Sequence, residues 1–223
     1  MNQAENLNDT DEVWSTLLAA GGALLSIGGI AWLLVAAAEA HQPWQIVAFT
    51  IYGIGLISMF VTSALHHGVR GSERTAHILH QLDYYAISIM IAGTFTPFCL
   101  VLLRSTIGWS FFAIIWSLAI VGIALKARIP HVPTWITTAL FLLMGWLGVV
   151  IAYHVYLTLG LGGLMGLIIG GLFYTVGAMF FHFEKPNFWP GKFAHHELWH
   201  VFVLGGAASH FIVMFRYILP YTA

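Results

Sequence analysis

Runs of about 20 apolar residues decide what this chain can become. A helix of that length spans the hydrocarbon core of a bilayer, and backbone in lipid must satisfy its own hydrogen bonds. Seven stretches meet the length: 13–38, 44–65, 77–103, 107–125, 134–157, 161–181 and 195–219. Short links with turn signals separate them, such as Gly71-Ser72, Pro130 to Pro133 and Pro186 to Gly191. A Gly-rich turn, Gly160 to Gly163, joins the fifth and sixth. The sequence therefore predicts an all-α fold, a seven-transmembrane helix bundle over residues 13–223 behind a short acidic tail over 1–12. Charged residues make up 8% of the 223, against about 25% in soluble domains, which excludes a soluble domain of any size. The net charge of −1 leaves no nucleic-acid footprint. The single cysteine, Cys99, has no internal disulfide partner. Acidic residues before the first span (Glu5, Asp9, Asp11, Glu12) argue against a signal peptide. No internal repeat appears, which disfavours an inverted-repeat transporter.

The positive-inside rule sets an orientation. Arg70, Arg74, Lys126, Arg128, Lys185 and Lys192 fall on one side, and only Arg104 and Arg216 on the other. The N-terminus is expected in the cytoplasm and the C-terminus outside. Trp44, Trp109, Trp135 and Trp189 sit near span ends, as interfacial anchors do.

Depth then brings distant residues together. The second span runs inward to Ser63 and His67. The third starts on the inner side with Asp83 in its first turns, and the seventh starts there with His196 and His200. Four residues apart on a helix, His196 and His200 share a face, as do Ser63 and His67. Three imidazoles with one open position make a catalytic zinc arrangement, in which zinc lowers the pKa of a bound water toward about 7. Asp83 is placed to orient that water or move its proton, and Ser63 to hydrogen-bond behind the ligands. Ionisable residues inside a membrane are costly and mark working sites. The bland alternative stays open at this point: paired histidines also suit packed or interfacial positions, and Asp83 also suits a helix N-terminus.

The remaining histidines read as weaker. Of His77 and His80, His80 is the better placed to hydrogen-bond behind the ligands. His66 and His195 are expected to point about 100° away from their neighbours. His210 lies about 15 Å along the axis from His200, too far to share a metal, and reads as packing. His154 and His182 fall at span ends, His41 and His131 in loops. His196 to His200 also spells H-E-x-x-H, in which metalloproteases use the Glu as base. An intramembrane protease should add a third ligand on a later span, and none follows the seventh. The stretch Gly93 to Pro97 should kink the third span, and Gly205 to Ala208 should allow close helix approach. Paired membrane histidines also suit haem iron, whereas retinal is excluded because no Lys lies in the seventh span.

Three motifs, in order and on the right spans, carry a resemblance. S-A-L-H-H (Ser63 to His67), Q-L-D-Y-Y-A-I-S-I-M-I-A-G-T-F-T-P-F (Gln81 to Phe98) and H-E-L-W-H-V-F-V-L-G-G-A-A-S-H-F (His196 to Phe211) resemble those of the hemolysin III family and the related progestin and adipoQ receptors. The resemblance covers essentially the whole membrane region. It implies seven spans with the N-terminus inside, in a bacterial inner (plasma) membrane. It implies Zn2+ on His67, His196 and His200, with Asp83 on the metal's water and Ser63 as partner. The wider superfamily includes alkaline ceramidases, which implies zinc-dependent hydrolysis of a ceramide-like lipid amide. A cytolytic hemolysin-like protein, or a membrane sensor with a structural zinc site, are the other functions implied. The sequence departs from the pattern at His66 (usually Tyr), Tyr84 (often His) and Phe95 (Tyr), none of them a proposed ligand.

Overall fold

A computed structural model describes residues 11–129, 132–189 and 193–222. The tail through Thr10, together with Pro130, His131, Gly191 and Lys192, lies outside the described residues. Among those described, the fold is all-helical: α1 Asp11–Glu39, α2 Pro43–Gly68, α3 Glu73–Pro97, α4 Thr106–Arg128, α5 Thr134–Trp146, α6 Gly148–Phe183 and α7 His195–Val213. One isolated bridge pairs Trp189 with Phe193.

Local chemistry explains the boundaries. Pro43 opens α2, where its missing N–H costs nothing. Ser72 caps α3, its hydroxyl accepting from the Thr75 N–H at 3.2 Å. Lys126 and Arg128 end α4, where cations suit the dipole. The expected disturbance at Pro97 takes the form of a π-helical turn, Phe98–Leu102, buried throughout. Proline deprives the Gly93 carbonyl of its donor. Here Thr94 and Thr96 return their hydroxyls to the carbonyls of Met90 and Ala92, and the Trp116 indole donates to Thr96 at 3.2 Å. A second π turn, Met214–Ile218, ends α7.

The apolar segment Thr134–Phe183 holds 50 residues. As one straight helix it would measure about 75 Å, against about 30 Å of hydrocarbon. It is broken twice. Leu147 separates α5 from α6, a break inside a span expected to be continuous. Gly160 then adopts φ 70° and ψ −173°, a conformation essentially reserved for glycine. The Trp146 indole donates to the Thr175 hydroxyl at 3.0 Å. Residues 29 apart on a straight helix lie about 43 Å apart, so the chain has folded back between them.

Six segments are long and apolar enough to cross a membrane. Their outward faces carry large apolar side chains, with Leu24 72%, Leu25 74% and Val150 66% exposed, a surface suited to lipid rather than water. Inside, α2 and α3 lie almost backbone to backbone. A Cβ on Gly55 would sit 2.9 Å from the Met90 Cα, so this approach requires glycine. That hairpin sets the end of α2 beside the start of α3. The hairpin of α6 and α7, packed on α1, places the start of α7 where His196 reaches His67 at the end of α2.

Candidate metal centre

His67 ends α2, and His196 and His200 lie one turn apart at the start of α7. Their donor atoms lie within 4.8 Å of one another. The Nε2 of His196 stands 3.3 Å from that of His67 and 3.2 Å from that of His200. An imidazole nitrogen carries either one hydrogen or one in-plane lone pair. The Nε2 of His196 can therefore hydrogen-bond one of these neighbours but not both. A cation accepting all three lone pairs removes the conflict. The spacing suits zinc: bonds of about 2.0–2.1 Å at tetrahedral angles put nitrogens about 3.3–3.4 Å apart. Nitrogens gathered this closely suit a small ion, not the opposite faces of a porphyrin.

Asp83 enters from the first turns of α3. Its carboxylate and a donor atom of His66 lie within 4.8 Å of His67. Thr62, on α2, stands near the same carboxyl group, its hydroxyl donating to the Met59 carbonyl at 3.2 Å. Ser63 is buried and lines the central cavity one turn before His67. Thus the four residues placed together by depth meet in space, with Ser63 on the adjoining wall.

His66 was expected to turn away from His67, and it does not. Its ring lies 4.7 Å from that of His67 and 5.2 Å from that of His80. His80 in turn packs on Tyr84 at 5.0 Å, and the Lys126 ammonium lies 4.1 Å from the Tyr84 ring centre. Two signals could have revealed His66. It stands at a helix end, two residues before the α2 terminus, and His80 and Asp83 enter the facing turn of α3 at three-residue spacing.

The other histidines divide by partner. His195 bonds the Asn187 side-chain oxygen through Nδ1 at 3.0 Å. His210 packs beside Tyr174, its Nε2 3.3 Å from the Leu167 carbonyl. Glu197, the middle of H-E-x-x-H, is fully buried away from the cavity. The Ser15 hydroxyl donates to its Oε1 at 2.9 Å and the Ala194 N–H to its Oε2 at 2.8 Å. Both oxygens are engaged in tying α7 to α1 and closing its first turn.

The three imidazoles and Asp83 stand at one end of a cavity of about 490 Å³. Its walls come from α2, α3, α5, α6 and α7, and beyond the polar end they are mostly apolar, including Ile87, Met90, Phe141, Leu164, Leu167 and Val203. Cavities of this size bury small ligands.

A model of haemolysin-III related proteins matches residues 5–211. The chain belongs to the hemolysin III family. It is 36% identical over 207 residues to a hemolysin-3 homolog of Bacillus subtilis (strain 168), covering 93% of this chain and 94% of that protein. It is 37% identical over 210 residues to hemolysin-3 of Bacillus cereus, covering 94% and 93%. A heptahelical transmembrane protein, ADIPOR2, of Oryza sativa subsp. japonica is 32% identical over 185 residues, covering 74% and 79%. Like its family, this hemolysin III chain is a multi-pass membrane protein, and its His/Asp cluster could hold a metal.

Proposed function

We propose that the protein is a zinc-dependent membrane hydrolase acting on a lipid amide of the ceramide type. The observation that carries this reading is three imidazole donors converging at the polar end of an otherwise apolar cavity. His67, His196 and His200 would hold the metal. When bound, zinc supplies Lewis acidity and an acidified water. The residues do the rest. Asp83 stands beside His67, where it can orient the attacking water and take its proton. The apolar walls seat an acyl chain so that its amide carbonyl reaches the polar end, and they keep bulk water from the bond. Ser63, on the cavity wall, is available to hydrogen-bond the lipid headgroup.

On this reading the bundle crosses an inner (plasma) membrane seven times, with the N-terminus inside and the C-terminus outside. The reversal at Gly160, the bias of Lys and Arg, and the heptahelical name of the rice relative support it. The test is turnover of a ceramide-like amide by detergent-purified protein. Chelator should abolish it, added zinc should restore it, and His200→Ala should remove it without loss of helical content. Unchanged turnover in His200→Ala sinks the hydrolase. The hemolysin-3 name of the Bacillus relatives points to cytolysis instead. Chelator-insensitive leakage from lipid vesicles, without turnover, would favour that reading. Zinc-dependent stability without either would favour a sensor.

A further inference from the structure

A cation stands beside the polar end of the cavity. Lys126, in the last turn of α4, holds its ammonium 4.1 Å from the centre of the Tyr84 ring. Tyr84 lines the cavity with His80, the two rings 5.0 Å apart. Local packing puts the lysine there. One turn earlier on α4, a Cβ on Gly122 would stand 3.4 Å from the Ser88 hydroxyl and 2.8 Å from the Leu140 side chain, so α4 lies close on α3 and α5 at that level. Ser88 is one turn beyond Tyr84, and the next turn of α4 therefore brings Lys126 over Tyr84. The two basic residues that end α4 differ. Arg128 is exposed, as suits a helix-end cation in water, whereas Lys126 is half-buried. Among the described residues no carboxylate forms an ion pair with it. Asp83, next to Tyr84 in the chain, turns to His66 and His67 instead.

We propose that Lys126 recognises an acidic headgroup, so that the substrate is a lipid amide with a phosphate or carboxylate on its amine side. This rests on the hydrolase reading and narrows its substrate. With the acyl chain among the apolar walls, the amine side of the amide leads out past the polar end, where Lys126 stands. Its ammonium has three donors on a flexible stem, so it can keep the ring and still bond an acid. His80 and Tyr84 add an imidazole and a phenol beside it. The ring steps from His67 to His66, His80 and Tyr84 measure 4.7, 5.2 and 5.0 Å, which sets Lys126 apart from the triad. The acid therefore belongs several atoms from the amide, not directly on it.

The probes are three dodecanoyl amides of similar reach, made from 2-aminoethyl phosphate, 4-aminobutanoate and the uncharged 2-aminoethanol. Binding to full-length protein in uncharged detergent is measured by calorimetry, and hydrolysis of the same amides is followed in parallel. Wild type should bind at least one acidic amide about tenfold more tightly than the neutral one, a preference that salt weakens. Preference for phosphate alone or carboxylate alone identifies the acid. Lys126→Gln should lose the preference and bind the neutral amide within about twofold of wild type. Lys126→Arg should keep it. Arg74→Gln, which removes a charge from the exposed first turn of α3, should keep it too. Equal binding of all three amides by wild type overturns the inference, and leaves Lys126 as a lysine that reaches for bilayer phosphates. So does a preference that survives Lys126→Gln, or one that Arg74→Gln weakens equally. Hydrolysis without preference ends this inference and spares the hydrolase. A Lys126-dependent preference without hydrolysis ends the hydrolase and leaves the headgroup site.

Discussion

The two ends of α7 carry enclosed histidines with different surroundings. At its start, the Nε2 atoms of His196 and His200 face each other at 3.2 Å, and His67 adds a third nitrogen. Fifteen ångströms on, or about ten residues of helix, the Nε2 of His210 faces the carbonyl of Leu167 at 3.3 Å. A carbonyl accepts an imidazole N–H, whereas three imidazole nitrogens meeting at one point suit a cation. Burial alone does not separate these histidines. The partner of each Nε2 does.

The sharpest way to break that contrast is to remove each histidine in turn. His196→Ala or His200→Ala should lose the tightly held zinc. Hydrolysis should fall by about 1000-fold or more, since the metal supplies several kcal/mol of transition-state stabilisation. His210→Leu should keep the zinc and lose about 1 kcal/mol of stability, the worth of one hydrogen bond. Metal counting beside thermal unfolding reads both. Equal zinc loss at the two ends would erase the distinction.

Asp83→Asn probes the carboxylate beside the triad. The amide keeps the shape and loses the base. The zinc should stay, and turnover should fall by about 100-fold to 10,000-fold, the range of general acid–base catalysis. Retained turnover would leave Asp83 without a part in the reaction; a helix N-terminal role is closed to it, because it lies ten residues inside α3.

Much of this is legible in the sequence. Apolar runs of bilayer length leave the backbone few choices, so the helices other than α5 and α6 lie within a few residues of the expected spans. Depth did the rest: helices that start or end on one side must bring His67, Asp83, His196 and His200 to one level. What stayed hidden depends on local detail. The π turn after Pro97 is a local choice of backbone bonding, Leu103 N–H to the Phe98 carbonyl, that no apolar pattern encodes. The break at Leu147 leaves the hydropathy unchanged. His66 was misjudged because the 100° step describes where side chains leave the axis, not which neighbouring helix they meet. At the groove between α2 and α3, adjacent residues both reach α3 and its surroundings.

The smallest effects separate the two faces of H-E-x-x-H. His196 and His200 face the cavity, while Glu197 faces α1. Ser15→Ala leaves the buried Oε1 of Glu197 without its donor, which should cost about 1–3 kcal/mol and leave the zinc count unchanged. Glu197→Gln should cost less, under about 1 kcal/mol. The amide oxygen can still accept from the Ala194 N–H, and the amide nitrogen can donate to a Ser15 hydroxyl that turns to receive it. Turnover in Glu197→Gln should stay within about twofold of wild type. A metalloprotease-like centre demands the reverse order, because there the Glu is the base: Glu197→Gln would lose activity by about 100-fold or more while Ser15→Ala did nothing. Measuring both variants for unfolding and turnover decides whether the carboxylate inside the motif serves the reaction or the seam between α1 and α7.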